Sequence, residues 1–242
     1  MANAITEARK SDPITPIASP LHLVLVLGLT TLWALRSAIN PDHIAQAASL
    51  DRVRFYLRTI AFEWVMLGVV LLGVRFHGAS MYTVLGERWR SSSDMLRDIG
   101  IAAGFWLIST IILSAVSLHP HDSQPSAVVK AILPNGWLES TLWIALSISA
   151  GICEEAIYRG YIQRQLISIT SSAPAGIVLT ALAFGLAHSY KSWPGAVQVA
   201  LGGLMLGTLA YWTKSVRPGM MAHAFSDAFA GVLARALKIG VA

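Results

Sequence analysis

The stretch "GICEEAIYRGY", residues 151–161, closes an apolar run that begins near Trp137. It places two adjacent glutamates and an arginine where hydrocarbon would otherwise be expected. An ionisable side chain at the centre of a membrane helix costs about 2.5–3.5 kcal/mol on insertion scales, so such groups face a cavity or one another. The rest of the chain decides whether this run is a membrane helix with a polar site or a soluble helix with an apolar face.

The composition decides for the membrane. Of 242 residues, 55% are hydrophobic and only 13% are charged, against about 25% charged in an average soluble domain. Mean hydropathy is +0.58, and long windows carry almost no charge, the mark of spanning helices. The net charge of +5 reflects Lys and Arg gathered in loops and at headgroups. No basic patch interleaved with aromatics appears, so nucleic acid is not an expected partner. A single cysteine, Cys153, excludes an internal disulfide.

A span needs about 20 largely apolar residues. That rule predicts an all-α, multi-pass transmembrane bundle with helices at 21–39, 57–75, 98–118, 137–165, 174–190, 195–213 and 219–237. Seven spans are expected, with six and eight as alternatives. Residues 1–20 form a polar N-terminal segment, and 21–242 a single transmembrane domain. No signal-peptide cleavage site follows the first apolar run, so an uncleaved first helix is expected. Residues 76–97 are polar and are expected to include an interfacial segment, and 119–136 read as a connection. The glycines of "GGLMLG", Gly203 and Gly207, have the small-xxx-small spacing of close helix packing. A small majority of Lys and Arg lies on the side of the N-terminus, which places that terminus in the cytoplasm. An integral membrane location follows, the inner membrane if the source is bacterial.

Three polar clusters interrupt the apolar runs: Glu154, Glu155 and Arg159; His188, with Phe184 one turn before it; and His223 with Asp227. Glu155 and Arg159 stand at i and i+4 with the acid first, the favourable order for a helix ion pair. His223 and Asp227 share the same spacing and one helix face, so Asp227 is expected to orient the imidazole. Glu154 projects about 100° away from Glu155 around the helix, given 3.6 residues per turn. One glutamate is thus paired and the other is free to act. A carboxylate beside a neutral histidine can take a proton from water, and a second histidine can stabilise an oxyanion. Glu154, His188 and His223 supply the minimum parts for peptide hydrolysis.

"EEAIYR", "FGLAH" and "HAFSD" match, in order, the E-E-x-x-x-R, F-x-x-x-H and H-x-x-x-(D/N) motifs of the CPBP family, over about residues 137–230. The chain therefore resembles the type II CAAX prenyl endopeptidases and the Abi-like, bacteriocin-processing membrane proteases. The resemblance implies an intramembrane endopeptidase acting on a membrane-anchored peptide or protein within the lipid bilayer. Glu154 would be the catalytic glutamate, with His188 its partner in activating water and His223 and Asp227 on the oxyanion side. Glu155 and Arg159 would form a structural pair with Phe184 packed beside it. The eukaryotic-type enzymes carry Asn where this chain has Asp227, and a carboxyl donates a hydrogen bond only when protonated. Were the reaction metal-dependent, Glu154, His188 and His223 would be the ligands, a set that zinc accepts. H-E-x-x-H is absent, and no obligatory metal is expected.

Weaker candidates have simpler readings. Cys153 is expected to pack rather than react, and Ser226 lacks a G-x-S motif. Glu63 lies within a span with no partner in sequence, and reads as interfacial or satisfied by another helix, with a cavity-lining group as the alternative. His119, His121 and Asp122 read as a loop near headgroups. A proton-coupled transporter using Glu154, His188 and Asp227 as a relay is the alternative, but no internal repeat supports it. A non-catalytic membrane scaffold is the third reading.

Overall fold

The computed structural model describes residues 15–116 and 127–237. Most of the N-terminal segment and His119, His121 and Asp122 lie outside the described residues. The described chain is helical, with no strand among the described residues. In order the helices are α1 (Pro20–Ile39), α2 (Pro41–Leu50), α3 (Arg52–Phe76), α4 (Tyr82–Leu85), α5 (Ser92–Val116), α6 (Ala127–Ile132), α7 (Trp137–Glu155), α8 (Gln163–Thr170), α9 (Ala173–Ala187), α10 (Trp193–Thr213) and α11 (Arg217–Ala236). A π-helical segment, Ala156–Ile162, joins α7 to α8 without a break, so that Trp137–Thr170 is one rod of 34 residues.

The boundaries follow from local chemistry. Ser19, Asp51, Ser172 and Ser192 each accept a hydrogen bond from the amide three residues on, opening α1, α3, α9 and α10. Those side chains satisfy donors that a helix start leaves free. Glu139 accepts from the amides of Asn135 and Gly136 at the head of α7. Ser171 and Lys214 adopt left-handed backbone where α8 and α10 end.

All seven expected helices are present. Four are long and apolar enough to cross a membrane among the described residues: α3, α5, the α7–α8 rod and α10. The N-terminal part of α1 and all of α9 are apolar but shorter. Exposed Leu107, Ile108, Ile111 and Ile112 leave α5 with an apolar outer face. Water would not favour such a contiguous surface, whereas lipid does. This is an integral membrane bundle.

One expectation needs correction. The fourth helix does not end at 165, because Gln163 and Gln165 are buried and bonded to backbone inside the bundle. Gln163 donates to the carbonyl of Gly207, while Gln165 donates to Ala18 and accepts from the amide of Ile17. Within residues 76–97 the chain also turns inward. Val84 of α4 is fully buried and packs against the π segment at Gly160. Arg217 ties this stretch to α5 and α11, bonding the carbonyl of Glu87 and lying 3.1 Å from the buried Asp98.

The site rests on two close packings. α7 packs on α3 and α11, and α9 on α8 and α10. A side chain at Gly151 would meet the Met220 carbonyl and the Ala224 methyl, each at 2.7 Å. Trp143 donates to the Asp227 carbonyl at 2.7 Å, fastening the same pair of helices further along. Gly151→Ala is expected to force α7 and α11 apart and cost about 1–3 kcal/mol by overpacking. A lowered unfolding temperature in detergent would show it, and an unchanged one would refute this packing account.

Candidate active site

The site is built around the Glu155 carboxylate, which is fully buried. Its Oε1 accepts from Arg159 Nη1 at 2.8 Å and from His223 Nδ1 at 2.9 Å. Arg159, also buried, sends Nη2 to the carbonyl of Gly203 at 3.2 Å. The Glu155–Arg159 pair thereby ties the rod to α10 and α11. The glycine at 203 has a use beyond packing: a Cβ there would stand 3.2 Å from both Arg159 Nη2 and Phe184. Phe184 covers the other side of the guanidinium, whose central carbon lies 4.3 Å from the ring centroid. A cation over an aromatic face gains most when water is excluded.

Glu154 stands apart from this pair, as the helix turn demands. Its Oε2 is buried, accepts no hydrogen bond, and lies 3.8 Å from His223 Nε2. Asp227 Oδ2 lies 3.5 Å from the same nitrogen. The histidine therefore turns one nitrogen to Glu155 and the other to Glu154, Asp227 and the cavity. Asp227, expected to orient His223, lies beside the ring, and a shorter bond to it comes from Glu155, 68 residues away in sequence.

His188 ends α9. Its Nδ1 donates to the Phe184 carbonyl at 2.9 Å, and a carbonyl only accepts, so Nδ1 carries the proton in the neutral ring. Nε2 then holds the free lone pair. Phe184 packs against both histidines, with centroid separations of 4.7 Å to His188 and 6.1 Å to His223. The aromatic ring thus spaces the two imidazoles.

These groups share a cavity of about 2030 Å³, lined by Glu154, His188, His223, Asp227 and the Phe184 ring. The continuous rod sets Glu154 and His188 at a common depth. Glu154 lies 16 residues before Thr170, and His188 lies 15 residues after Ala173. The two helices run antiparallel from that turn, so both reach roughly 22–24 Å at 1.5 Å per residue.

Glu63 of α3 joins the same cavity. Its carboxylate is buried and accepts from Ser149 Oγ at 2.6 Å. Its presence in an apolar span was the sequence signal, and its partner was not visible there. Lys191 and Tyr190, three and two residues past His188, also line the cavity, and no spacing rule pointed to them. Cys153 is buried in the apolar core, and Ser226 lines the cavity beside Asp227.

Among the described residues no three His, Cys, Asp or Glu are grouped to hold an ion. Both histidines bond an oxygen through Nδ1, and Nε2 of His223 faces two carboxylates.

Residues 135–229 match the Rce1-like family, type II CAAX prenyl endopeptidase. That span holds all three motifs, and the resemblance read from them is borne out. No curated protein and no solved structure matches the chain.

Removing one member of a buried ion pair costs about 3–5 kcal/mol, because it strands the other charge. Arg159→Met is expected to lose that much stability. Adding Glu155→Gln to it should recover part of the loss, a coupling that a thermal-denaturation cycle of the four proteins would measure.

Proposed function

We propose that the protein is an intramembrane endopeptidase that hydrolyses a peptide bond in a membrane-associated peptide or protein, with Glu154 as the general base. The observation that carries this reading is the division between the two glutamates. Glu155 is consumed by Arg159 and His223, whereas Glu154 presents an unbonded, buried oxygen beside the cavity. The family match over residues 135–229 supports the same class of reaction.

In this mechanism a water bound between Glu154 and His188 is polarised from both sides. Glu154 takes its proton while the free lone pair of His188 Nε2 orients the other hydrogen. The water oxygen attacks the scissile carbonyl carbon and forms a tetrahedral intermediate. A proton on His223 Nε2 is placed to donate to the oxyanion, and Glu155 fixes the ring for that task through Nδ1. Asp227 holds the same nitrogen from the cavity side. The C–N bond then breaks as Glu154 returns its proton to the leaving amine, which restores the carboxylate. No step requires a metal. Prenylated C-termini are the substrate class that the family resemblance favours.

The test is cleavage of a quenched, prenylated peptide by purified protein in detergent. Glu154→Gln is expected to lower kcat by about 10²–10⁴-fold, the range for losing a general base, and chelation of divalent ions is expected to leave wild-type turnover intact. Cleavage by the Glu154→Gln protein at the wild-type rate would remove the reading, and chelator loss restored by zinc would make the reaction metal-dependent.

A further inference from the structure

His188 has two aromatic neighbours, and the mechanism above uses only one of them. Phe184 lies with its centroid 4.7 Å from the imidazole, and Tyr190 lies 5.9 Å away and 34° from parallel. Both separations fall where aromatic rings attract. Tyr190 sits in a short 3₁₀ turn, Ser189–Lys191, just past the end of α9. That turn ends at Ser192, whose φ of 136° and ψ of 166° belong to a region that only glycine visits without strain. Two bonds hold Ser192 there. Its amide donates to the Ser189 carbonyl at 3.3 Å, and its Oγ accepts from the Gly195 amide at 3.2 Å. The Lys191 amide donates to the His188 carbonyl at 3.0 Å. Residues 188–192 thus form a closed turn, and Tyr190 leaves it in a set direction.

Tyr190 also packs against a small apolar cluster formed by Ala48 of α2 with Val128 and Ile132 of α6. These two short helices pack on each other as a plate beside the cavity. The plate is fastened from α3, where Arg52 donates to the Ala131 carbonyl at 2.8 Å and Tyr56 to the Ile132 carbonyl at 2.6 Å. Trp143 packs against the same cluster and donates to the Asp227 carbonyl at 2.7 Å. The plate therefore touches both sides of the site, α9 through Tyr190 and α11 through Trp143. Val129 and Ile132 line the cavity, whereas Val128 is buried away from it.

Resting on the hydrolase reading above, we propose that Tyr190 is a positioning residue, whose ring holds His188 with Nε2 towards the water and ties that alignment to the seating of the α2–α6 plate. The imidazole is otherwise secured by one bond, from Nδ1 to the Phe184 carbonyl. A half-turn about its Cβ–Cγ bond exchanges Nδ1 with Cδ2 and Nε2 with Cε1, and takes the lone pair away from the water. The neighbouring tyrosine ring crowds that rotation. The Tyr190 hydroxyl is within electrostatic reach of Lys191, Glu154, Asp227 and Glu63, but crowding needs the ring alone. Phenylalanine therefore serves in its place, and an aliphatic side chain does not.

The test follows turnover of the quenched, prenylated peptide together with the ring-nitrogen NMR spectrum of His188, on the full-length protein in detergent. Tyr190→Leu is expected to lower kcat by about 10–100-fold, the scale of a small misplacement of a reacting group, with KM near the wild-type value. Tyr190→Phe is expected to keep both. His188 should show the single Nδ1–H tautomer in the wild type and a mixture of tautomers in Tyr190→Leu. Val128→Ala, away from the cavity, should lower kcat by about threefold and add little to Tyr190→Leu, because both loosen one chain of contacts. It carries the same two readouts if Tyr190→Leu does not fold. Wild-type kcat or an unchanged His188 spectrum in Tyr190→Leu would overturn the inference. Equal losses in Tyr190→Phe and Tyr190→Leu would overturn it in favour of the hydroxyl, and full additivity with Val128→Ala would sever the plate from the site. A wild-type protein that cleaves nothing removes the hydrolase, while the change in the His188 spectrum still upholds the hold of Tyr190 on the ring.

Discussion

The structure depends on a buried carboxylate that an arginine and a histidine share. Glu155 and Arg159 lie inside a bundle whose outer surface is apolar, where an isolated charge would be expelled or neutralised. Their 2.8 Å contact alone would not justify burying both, since desolvation commonly exceeds the Coulomb gain. Further bonds to His223 and to the Gly203 carbonyl support the pair, while Glu155 Oε2 and Arg159 Nε have no hydrogen-bond partner among the described residues. Those bonds come from α11 and α10, so the ion pair is also the joint at which these helices meet the rod. Gly203 is bare because Arg159 and Phe184 occupy its side-chain space, and Gly151 is bare because α11 does.

The π-helical segment falls at this joint. Its seven residues include Arg159, and all seven are buried. Single π turns recur at functional sites because they re-aim side chains without breaking the helix. Here the segment follows directly on Glu155 and carries the rod on to α8, whose glutamines bond the chain before α1 and the backbone of α10. A polar seam thus runs down the rod from the reacting end to the α8–α9 turn, with Arg159, Gln163 and Gln165 each donating to a backbone carbonyl. This seam holds the inner helices in register where apolar packing alone would allow sliding.

Local relations in this site were readable in the sequence, and long-range ones were not. The i, i+4 pairs Glu155–Arg159 and His223–Asp227 follow from helix geometry, as does the opposite projection of Glu154. The bond from His223 to Glu155 crosses 68 residues, and no periodicity predicts it. The rod was read short because Gln163, Arg164 and Gln165 look like the polar end of a span. Only the backbone partners of those glutamines show that the helix continues, and with it the common depth of Glu154 and His188. Short α2 and α6 escaped because neither is long enough to show a span-like apolar run. Glu63 drew notice as a charge in an apolar helix, but its bond to Ser149 required the packing of α3 on α7.

The central claim is that adjacent glutamates have separate duties, one structural and one chemical. The most direct measurement is the unfolding temperature of Glu155→Gln beside Glu154→Gln in the same detergent, at neutral pH. The account predicts that Glu155→Gln strands Arg159 and lowers the midpoint by at least about 5 °C, given 2–4 °C per kcal/mol at this chain length. It predicts that Glu154→Gln, which removes no hydrogen bond, leaves the midpoint unchanged or raises it. Equal losses, or a larger loss from Glu154→Gln, would contradict the division.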